Sequence, residues 1–319
     1  YDSATATSNS GSLDVETAFA CIAAVGEKGC GFPAPLEALE LAVRPSVNPG
    51  FLRSDALLVV VLLAGADDCS APPDTTLFDP SPAGVAQWGV LHPFRCTQWG
   101  IACDGAALGG GALPPTSHCV PVAGGPLFDV ARYQALLAPG GVKSASDDLV
   151  LATLVAPPAP LSVRVTMPCA DDSAAPSCPI LDHACVAPTD PSLFADPAVR
   201  IDAVSAAVPN AIAGPACDAD DTPTLDAVGD AIAARMGGAC LPGAVVDLAD
   251  PGCAVFVGGV ETPRCDSQGR RPCWNVVDDA SCSVHLTPAG NPQTLRLSLQ
   301  GAPAGAAIDA HCPLYEPGA

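Results

Sequence analysis

The sequence predicts an α/β fold in which a mostly parallel sheet carries helices on both faces, followed by a small disulfide-rich β appendage. Three observations predict it. Residues 56–64 form an uninterrupted apolar run, which is the pattern of a central strand buried on both faces of a parallel sheet. Helical and strand-like patterns alternate as far as residue 238, as is typical of α/β layering. After residue 239 the helical period is lost and cysteines recur at short intervals.

The domain organisation follows from that change of pattern. We predict an α/β domain over residues 1–238 and a cysteine-rich β appendage over residues 239–319. A loop-rich insertion, about residues 69–126, interrupts the first domain, and its prolines, glycines and four cysteines indicate that crosslinks order it instead of a core of its own.

The predicted elements are placed by period, capping residues and breakers. Helices are predicted over residues 13–25, 35–44, 129–138, 197–208 and 222–236, and strands over 56–64, 148–156, 161–166, 210–213, 254–257 and 294–299. The strand 161–166 alternates and should be half exposed. Thr222 and Pro223 mark the best-defined helix start, and the apolar stripe of that helix is Leu225, Val228, Ile232 and Met236.

The charge excludes one class of partner. Thirty-four acidic residues against thirteen basic ones give a net charge of −21, which repels nucleic acid. An acidic, soluble surface is the simplest interpretation, and a surface suited to a cationic or metal-dependent partner is the alternative. No transmembrane segment is predicted, because the apolar run 56–64 is far shorter than the ~20 residues that span a bilayer.

The sixteen cysteines indicate disulfides in an oxidising compartment. No Cys-x-x-Cys pair occurs, and the five histidines show no metal-ligand spacing. The candidates are Cys21, Cys30, Cys69, Cys96, Cys103, Cys119, Cys169, Cys178, Cys185, Cys217, Cys240, Cys253, Cys265, Cys273, Cys282 and Cys312.

Some pairings can be weighed from the sequence. Cys21 and Cys30 flank the connection between the first two helices and can staple them together. A helix between Cys217 and Cys240 would separate its ends by ~20 Å, whereas a disulfide needs Cα atoms within ~7 Å. We therefore expect Cys217 to pair near the strand tips, with Cys69 as a candidate, and Cys240 to pair within the appendage.

Acidic loops follow two predicted strands, where the working groups of parallel sheets usually lie. They contribute Asp67, Asp68 and Ser70 after the first strand, and Asp218 and Asp220 after the strand near residues 210–213. Converging oxygen ligands there can bind Mg²⁺ or Ca²⁺, although solvated or helix-capping acids are the favoured interpretation. No Gly-x-Ser-x-Gly elbow and no catalytic Ser, His and Asp set is found, so no catalytic residue is predicted.

Several sequence blocks resemble the von Willebrand factor A-like proteins that are common as secreted or lipid-anchored proteins of myxobacteria and related bacteria. The blocks are AFACIA (18–23), GCGF (29–32), PLEA (35–38), NPGFLR (48–53), DDCS (67–70), FRC (94–96), CDAD (217–220) and PCW (272–274). They span nearly the whole chain. The resemblance implies a doubly wound, Rossmann-like sheet with a metal-ion-dependent adhesion site at the strand tips.

That family site takes an Asp-x-Ser-x-Ser loop after the first strand, a Thr or similar group from a second loop, and an Asp after the strand matching residues 56–64. This chain has no Asp-x-Ser-x-Ser, and its first strand would lie before Tyr1. Gly65 stands where the metal Asp is expected, and Pro33 and Ala34 replace polar residues of the second loop. The resemblance therefore implies a degenerate metal site: no cofactor is expected, Mg²⁺ and Ca²⁺ are disfavoured, and any metal would lie at Asp67 and Asp68.

The expected function is that of a non-enzymatic, extracytoplasmic binding, adhesion or structural module, either secreted, periplasmic or anchored to a bacterial outer membrane. Its expected partner is a protein or a surface polymer. The alternatives are a secreted disulfide-rich hydrolase that uses the strand-tip carboxylates, and a purely structural envelope component. A chain without its first strands would leave residues 56–64 at a sheet edge, so we expect a missing N-terminal segment or a partner to cover that edge.

Overall fold

A computed structural model describes residues 31–53, 56–144, 148–169, 177–236, 240–266, 270–279, 282–300 and 308–315, together with positions 17 and 29. The predicted helix 13–25, with Cys21 and Cys30, lies outside these residues apart from position 17. Pro33–Ala319 form one compact unit and Tyr1–Phe32 another. The domain boundary after residue 238 stays a prediction.

The central feature of the described chain is a three-stranded parallel sheet, in which residues 149–155 lie between residues 58–63 and residues 212–215. Its strands are β1 (Leu58–Leu63), β6 (Leu149–Val155) and β11 (Ile212–Pro215). Two of them confirm that the apolar runs at 56–64 and 148–156 form strands, and β11 begins two residues after the start of the predicted strand 210–213.

Six helices lie in the described residues. They are α1 (Pro35–Val43), α2 (Pro82–Trp88), α3 (Phe94–Gly100), α4 (Val130–Leu137), α5 (Val199–Ser205) and α6 (Thr222–Met236). Four of them confirm the helices predicted over 35–44, 129–138, 197–208 and 222–236. The sequence analysis missed α2 and α3, which are short and lie in the loop-rich insertion.

Helices cover both faces of the sheet, as predicted. On one face, α1, α4 and α5 pack on Leu58, Val60, Leu149 and Leu151 to form the main core. On the opposite face, α6 packs against β6 and β11, and it approaches β11 so closely that a Cβ atom at Gly214 would lie 2.3 Å from the Thr224 hydroxyl oxygen. In α6 Val228 is buried, whereas Leu225 is 52% exposed, so the predicted stripe is wrong at its first position.

The prediction that β1 is buried on both faces is wrong. The face that meets α1 is buried, but Val61 is 46% exposed and Leu63 is 71% exposed on the other face. The reason is that α6 covers β6 and β11 and does not extend over β1, which stands at the end of the sheet in the described part of the chain.

The insertion is held by disulfides, and it also contributes residues to a hydrophobic cluster. Its four cysteines form crosslinks, as predicted, and the pairs, which the sequence did not identify, are Cys69–Cys96 and Cys103–Cys119. Phe94, Ile101 and Leu108 also pack with Leu161 and Leu181 in a second hydrophobic cluster, so the segment shares a core with strands outside it. The strands of this region are β2 (Ile101–Cys103), β3 (Ala106–Ala107), β4 (Leu113–Thr116), β5 (Cys119–Pro121), β7 (Leu161–Thr166), β8 (Cys178–Leu181), β9 (Cys185–Ala187) and β10 (Asp190–Ala195). The exposure of β7 alternates along its first half, as the sequence predicts.

Small antiparallel sheets make up the C-terminal part. Their strands are β12 (Ala244–Val245), β13 (Ala254–Val257), β14 (Val260–Thr262), β15 (Cys273–Asp278), β16 (His285–Leu286), β17 (Pro292–Gln293), β18 (Leu295–Gln300), β19 (Ile308–His311) and β20 (Leu314–Tyr315). Trp274 and Leu299 lie in a third hydrophobic cluster, and Cys240–Cys282, Cys253–Cys312 and Cys265–Cys273 crosslink the region. Cys240 therefore pairs in the appendage, as expected.

Two further disulfides complete the seven in the described residues: Cys169–Cys178 and Cys185–Cys217. Cys217 thus pairs with Cys185 instead of the suggested Cys69, because the β9–β10 hairpin and not the insertion lies beside the end of β11. Seven disulfides fit an oxidising, extracytoplasmic compartment.

Candidate functional site

The loop that follows β1 connects the sheet to two helices. Asp67 is the first of its acids, and its carboxylate accepts hydrogen bonds from the backbone N–H groups of Arg200 (2.9 and 3.0 Å) and Ile201 (3.2 Å). These N–H groups belong to the first turn of α5, whose own N-cap residue, Ala198, has no side-chain hydrogen bond. Asp67 therefore caps α5 from 133 residues away in sequence.

Asp68 and Ser70 cap the N-terminus of α1 in the same way. The Asp68 carboxylate accepts the Leu36 N–H (3.1 Å), and the Ser70 hydroxyl oxygen accepts the Glu37 N–H (2.9 Å). Ala34, the local N-cap residue, again provides no side-chain hydrogen bond. The Ser70 hydroxyl also donates to Asp68 (2.6 Å), which orients both caps. Both carboxylates therefore act as helix caps, which is the interpretation that the sequence favours.

Arg200 neutralises the inner carboxylate. Its Nη2 lies 3.2 Å from an Asp68 oxygen, and both side chains are almost completely buried. The same Nη2 donates to the Phe128 carbonyl oxygen (2.7 Å), whereas Nη1 is buried without a partner among the described residues. A buried pair of this kind is costly to break, because removal of either member leaves a charge in a low-dielectric interior.

Burial determines the protonation of Asp67. Its removal from water raises the pKa of Asp67 to about 6, although the N–H groups of Arg200, Asp68 and Ile201 and the charge of Arg200 act in the opposite direction. The oxygens of both acids are thus occupied by donors from the chain. A cation would have to displace these donors in order to bind.

The second acidic loop does not join the first. Asp218 and Asp220 are exposed, and Asp220 accepts the Thr222 N–H (2.9 Å) at the start of α6. Hydrogen bonds from the Thr222 side chain and from its backbone N–H lower the pKa of Asp220. Since β6 separates β1 from β11, the two strand tips stand ~10 Å apart. Across the described residues no group of three or more His, Cys, Asp or Glu side chains is arranged to hold a metal ion.

A small cavity lies beside the β1 tip. It has a volume of about 50 Å³, and its wall includes Asp67, Asp196, His92 and Thr97. Asp196 is hydrogen-bonded to the His183 ring (2.7 Å between Oδ1 and Nδ1), which stacks on Phe194 with ring centroids 3.7 Å apart. Burial raises the pKa of Asp196, and the hydrogen bond and charge of His183, with the charge of His92, partly oppose that shift.

Sequence reasoning missed Arg200, Asp196 and His183. Of these three residues, only Arg200 could have been noticed in the sequence, because it is a charged residue on the predicted helix 197–208 between apolar Val199 and Ile201. Asp196 and His183 follow separate strands, and no local spacing relates them. Only the packing of the hairpin brings them into hydrogen-bond contact.

A groove without charged groups runs along β1. Its wall comprises all six residues of β1, one side of α1 and Phe51, and its volume is about 350 Å³. Five residues of α1 form the other side: Pro35, Ala38, Leu39, Ala42 and Val43. In a chain with a net charge of −21, none of the residues that line this groove carries a charge.

Comparisons with known proteins add no relative. No family model, no curated protein and no solved structure matches the chain. Among the described residues, no helix combines the length and the apolar character that a bilayer span needs.

Proposed function

We propose that the chain is a non-enzymatic, extracytoplasmic binding or structural module built on a von Willebrand A-like sheet whose metal-ion site is degenerate. The observation that carries the proposal is the use of Asp67 and Asp68 as caps of α5 and α1. Carboxylates that are committed to helix N-termini and to a buried arginine serve the fold, and they are not free to polarise a substrate or hold a cation.

The position of Gly65 supports the degenerate site. Its carbonyl oxygen accepts the Asp196 N–H (2.9 Å), and it offers no side-chain ligand where the resembling family has an aspartate. Pro33 uses its carbonyl oxygen to accept the Cys69 N–H (2.7 Å). Both positions thus contribute backbone contacts that hold the loop.

The proposed location is extracytoplasmic. The protein would be secreted, periplasmic or anchored at the bacterial outer membrane. The seven disulfides of the described residues support it. The proposed partner is a protein or a surface polymer of the cell envelope.

Two measurements test the function. A thermal melt of the oxidised chain with millimolar Mg²⁺ or Ca²⁺ should match the melt with chelator, because a ligand that binds the native state raises the melting temperature.

Co-sedimentation with outer-membrane vesicles and with peptidoglycan sacculi should be saturable and should be lost after reduction and alkylation. A saturable metal-dependent rise, or no co-sedimentation with either material, would contradict the proposal.

The alternative function is hydrolysis, and the cavity beside Asp67 is the observation that favours it. Two carboxyl groups of raised pKa, Asp67 and Asp196, line it together with His92. Its volume of about 50 Å³ has room for a few water molecules and for no polymer substrate. Activity on ester, peptide or glycoside substrates that Asp196→Asn abolishes would establish the alternative.

A further inference from the structure

Four aspartates of the chain are followed directly by proline: Asp79, Asp190, Asp196 and Asp250. Proline has no N–H group, so the next backbone nitrogen cannot attack the aspartate carboxyl at these positions. The intramolecular reaction that remains is attack of the carboxylate on its own main-chain carbonyl carbon, which cleaves the Asp–Pro bond through a five-membered cyclic anhydride. The four bonds share this chemistry, and their surroundings decide which of them reacts.

Three of these aspartates lie in surroundings that do not promote the reaction. The Asp79 carboxylate accepts the backbone N–H (2.8 Å) and the hydroxyl (2.7 Å) of Ser81. The Asp190 carboxylate accepts the same two groups of Ser192 (2.9 and 2.7 Å). These hydrogen bonds lower the pKa of both carboxyls, so the carboxylates are weaker nucleophiles. Asp250 is exposed to solvent.

Asp196 differs from the other three in its partner and in its burial. Its Oδ1 lies 2.7 Å from the His183 Nδ1, and stacking on Phe194 orients the imidazole ring. Burial raises the pKa of Asp196, against the opposing effects of the His183 hydrogen bond and of the charges of His183 and His92. A more basic carboxylate is a better nucleophile, so Asp196 is the most reactive of the four.

The backbone is held on both sides of the Asp196–Pro197 bond. The Asp196 N–H donates to the Gly65 carbonyl oxygen (2.9 Å), and the Ala195 carbonyl oxygen accepts the Ala184 N–H (2.9 Å). Pro197 is buried, so bulk water has little access to its nitrogen. A proton for this leaving group has to come from the protein, and a protonated His183, hydrogen-bonded to the aspartate that reacts, is a suitable donor.

The second half of the reaction needs water, and the cavity beside Asp196 has room for it. The cavity has a volume of about 50 Å³, enough for a few water molecules. Asp67, His92 and Thr97 share its wall with Asp196 and offer the polar contacts that hold water.

We propose that the chain cleaves its own Asp196–Pro197 peptide bond, with Asp196 as the nucleophile and His183 as the proton donor. The Asp196 carboxylate attacks the main-chain carbonyl carbon of the same residue. The C–N bond to Pro197 breaks, and its electron pair takes the proton from protonated His183.

Water from the cavity then opens the anhydride and leaves two carboxyl groups on residue 196. As these groups ionise, one proton returns to His183 and the other charges the free secondary amine of Pro197. Each chain reacts once, so this activity is distinct from the binding function proposed above and does not depend on it.

The disulfides determine what the cleavage leaves. Cys185 lies before the bond and Cys217 after it, and their disulfide is the one among the seven of the described residues that crosses the bond. The two pieces, residues 1–196 and 197–319, therefore stay linked until the disulfide is reduced.

The test incubates the oxidised full chain at pH 5, which supplies protonated imidazole, and follows its intact mass. The mass should rise by that of one water molecule, and reduction should then release a piece that begins at Pro197. The bonds after Asp79, Asp190 and Asp250 should stay intact. The chain unfolded in guanidinium and reductant at the same pH is the control, and the native chain should cleave after Asp196 at least tenfold faster.

Two variants test the chemistry at the bond. Asp196→Glu keeps a carboxylate but would have to close a six-membered ring. Pro197→Ala keeps the pair of Asp196 and His183 and replaces the nitrogen that leaves. Each should slow the cleavage at least tenfold.

A further variant tests the proton donor. His183→Ala should slow the cleavage at least tenfold, and imidazole in the buffer should restore part of the rate, which a purely structural role of the ring would not allow. His118→Ala is the matched control, because His118 also pairs with an aspartate, Asp104 (3.1 Å), and it should leave the rate unchanged.

Three results would overturn the inference: an unchanged mass, cleavage of the native chain no faster than that of the unfolded chain, or an undiminished rate in His183→Ala. The comparison of native and unfolded chain needs no variant, so it decides the matter even if a variant fails to fold. Co-sedimentation with envelope material tests the proposed function separately, and Pro197→Ala should co-sediment as the native chain does.

Discussion

The carboxylates of Asp67 and Asp68, adjacent in the chain, cap two different helices. Asp67 accepts N–H groups of α5, and Asp68 accepts an N–H group of α1 and pairs with Arg200, whose own backbone N–H is held by Asp67. One dipeptide therefore fixes the positions of both helices relative to the end of β1. This arrangement makes the acids structural, and it can be tested through stability.

Replacement of Asp68 by Asn should lower the free energy of unfolding by about 3 kcal/mol, since Arg200 would remain buried without a compensating charge. Denaturant unfolding of the oxidised protein at pH 7 measures it. Asp226→Asn, at an exposed position of α6, is the control and should change stability by less than about 0.5 kcal/mol. An equal effect of the two substitutions would show that the pair contributes nothing.

Asp67 should make a pH-dependent contribution to stability. Its pKa is about 6 in the folded chain and 3.8 in the reference state, so the folded state binds more protons at this position between those values. By linkage, this contribution falls as the pH rises from about 4 to 6 and amounts to on the order of 3 kcal/mol.

The difference between the unfolding profiles of the native chain and Asp67→Asn isolates that contribution. The native chain should lose stability relative to the variant as the pH rises through this window. A carboxyl titration midpoint below 4 by NMR would show that the helix N–H donors outweigh burial.

Two glycine substitutions should have opposite signs. In Gly214→Ala the new Cβ would meet the Thr224 side chain at 2.3–2.9 Å, so we expect a loss of ~1–3 kcal/mol as α6 is pushed from β11. In Gly229→Ala, within α6, a Cβ meets nothing within 4 Å, and better helix propensity should add ~0.5–1 kcal/mol. Thermal melts compare the two variants, and destabilisation by both would contradict this packing.

The disulfide Cys185–Cys217 should contribute more stability than Cys265–Cys273. The first spans 32 residues and the second 8, and loop-closure entropy predicts losses of ~3.7 and ~2.5 kcal/mol when each pair becomes alanine. Denaturant unfolding of the two double variants measures the order. The reverse order would show that native-state contacts, not loop length, govern these crosslinks.

Much of the local structure could be predicted from sequence. The apolar run at 56–64, the run at 148–156 and the capped pattern from Thr222 each correspond to an observed element, because period and capping are properties of neighbouring residues. The errors occur where packing decides. Leu225 fits the helical stripe but is exposed, and β1 has an interior composition but one open face.

The candidate site could be located but not interpreted from sequence. The position of Asp67, Asp68 and Ser70 after a buried strand predicted where to look. Their partners, Leu36 and Arg200, lie 32 and 132 residues away, so no local pattern relates them to these acids. Cys217 illustrates the same limit, since geometry excluded Cys240 as its partner but did not identify Cys185.

The sequence by itself determined the α/β class, the positions of most helices and strands, the acidic surface and the crosslinked character of the chain. Only the tertiary structure decided that the strand-tip acids serve as helix caps, which cysteines pair, and that β1 is the end strand of its sheet among the described residues. The physical reason is the range of the interactions. Helical and strand periods depend on neighbouring residues, and charge and cysteine content can be counted from the sequence alone. Capping across 133 residues and burial of a strand face depend on which distant elements fold against each other.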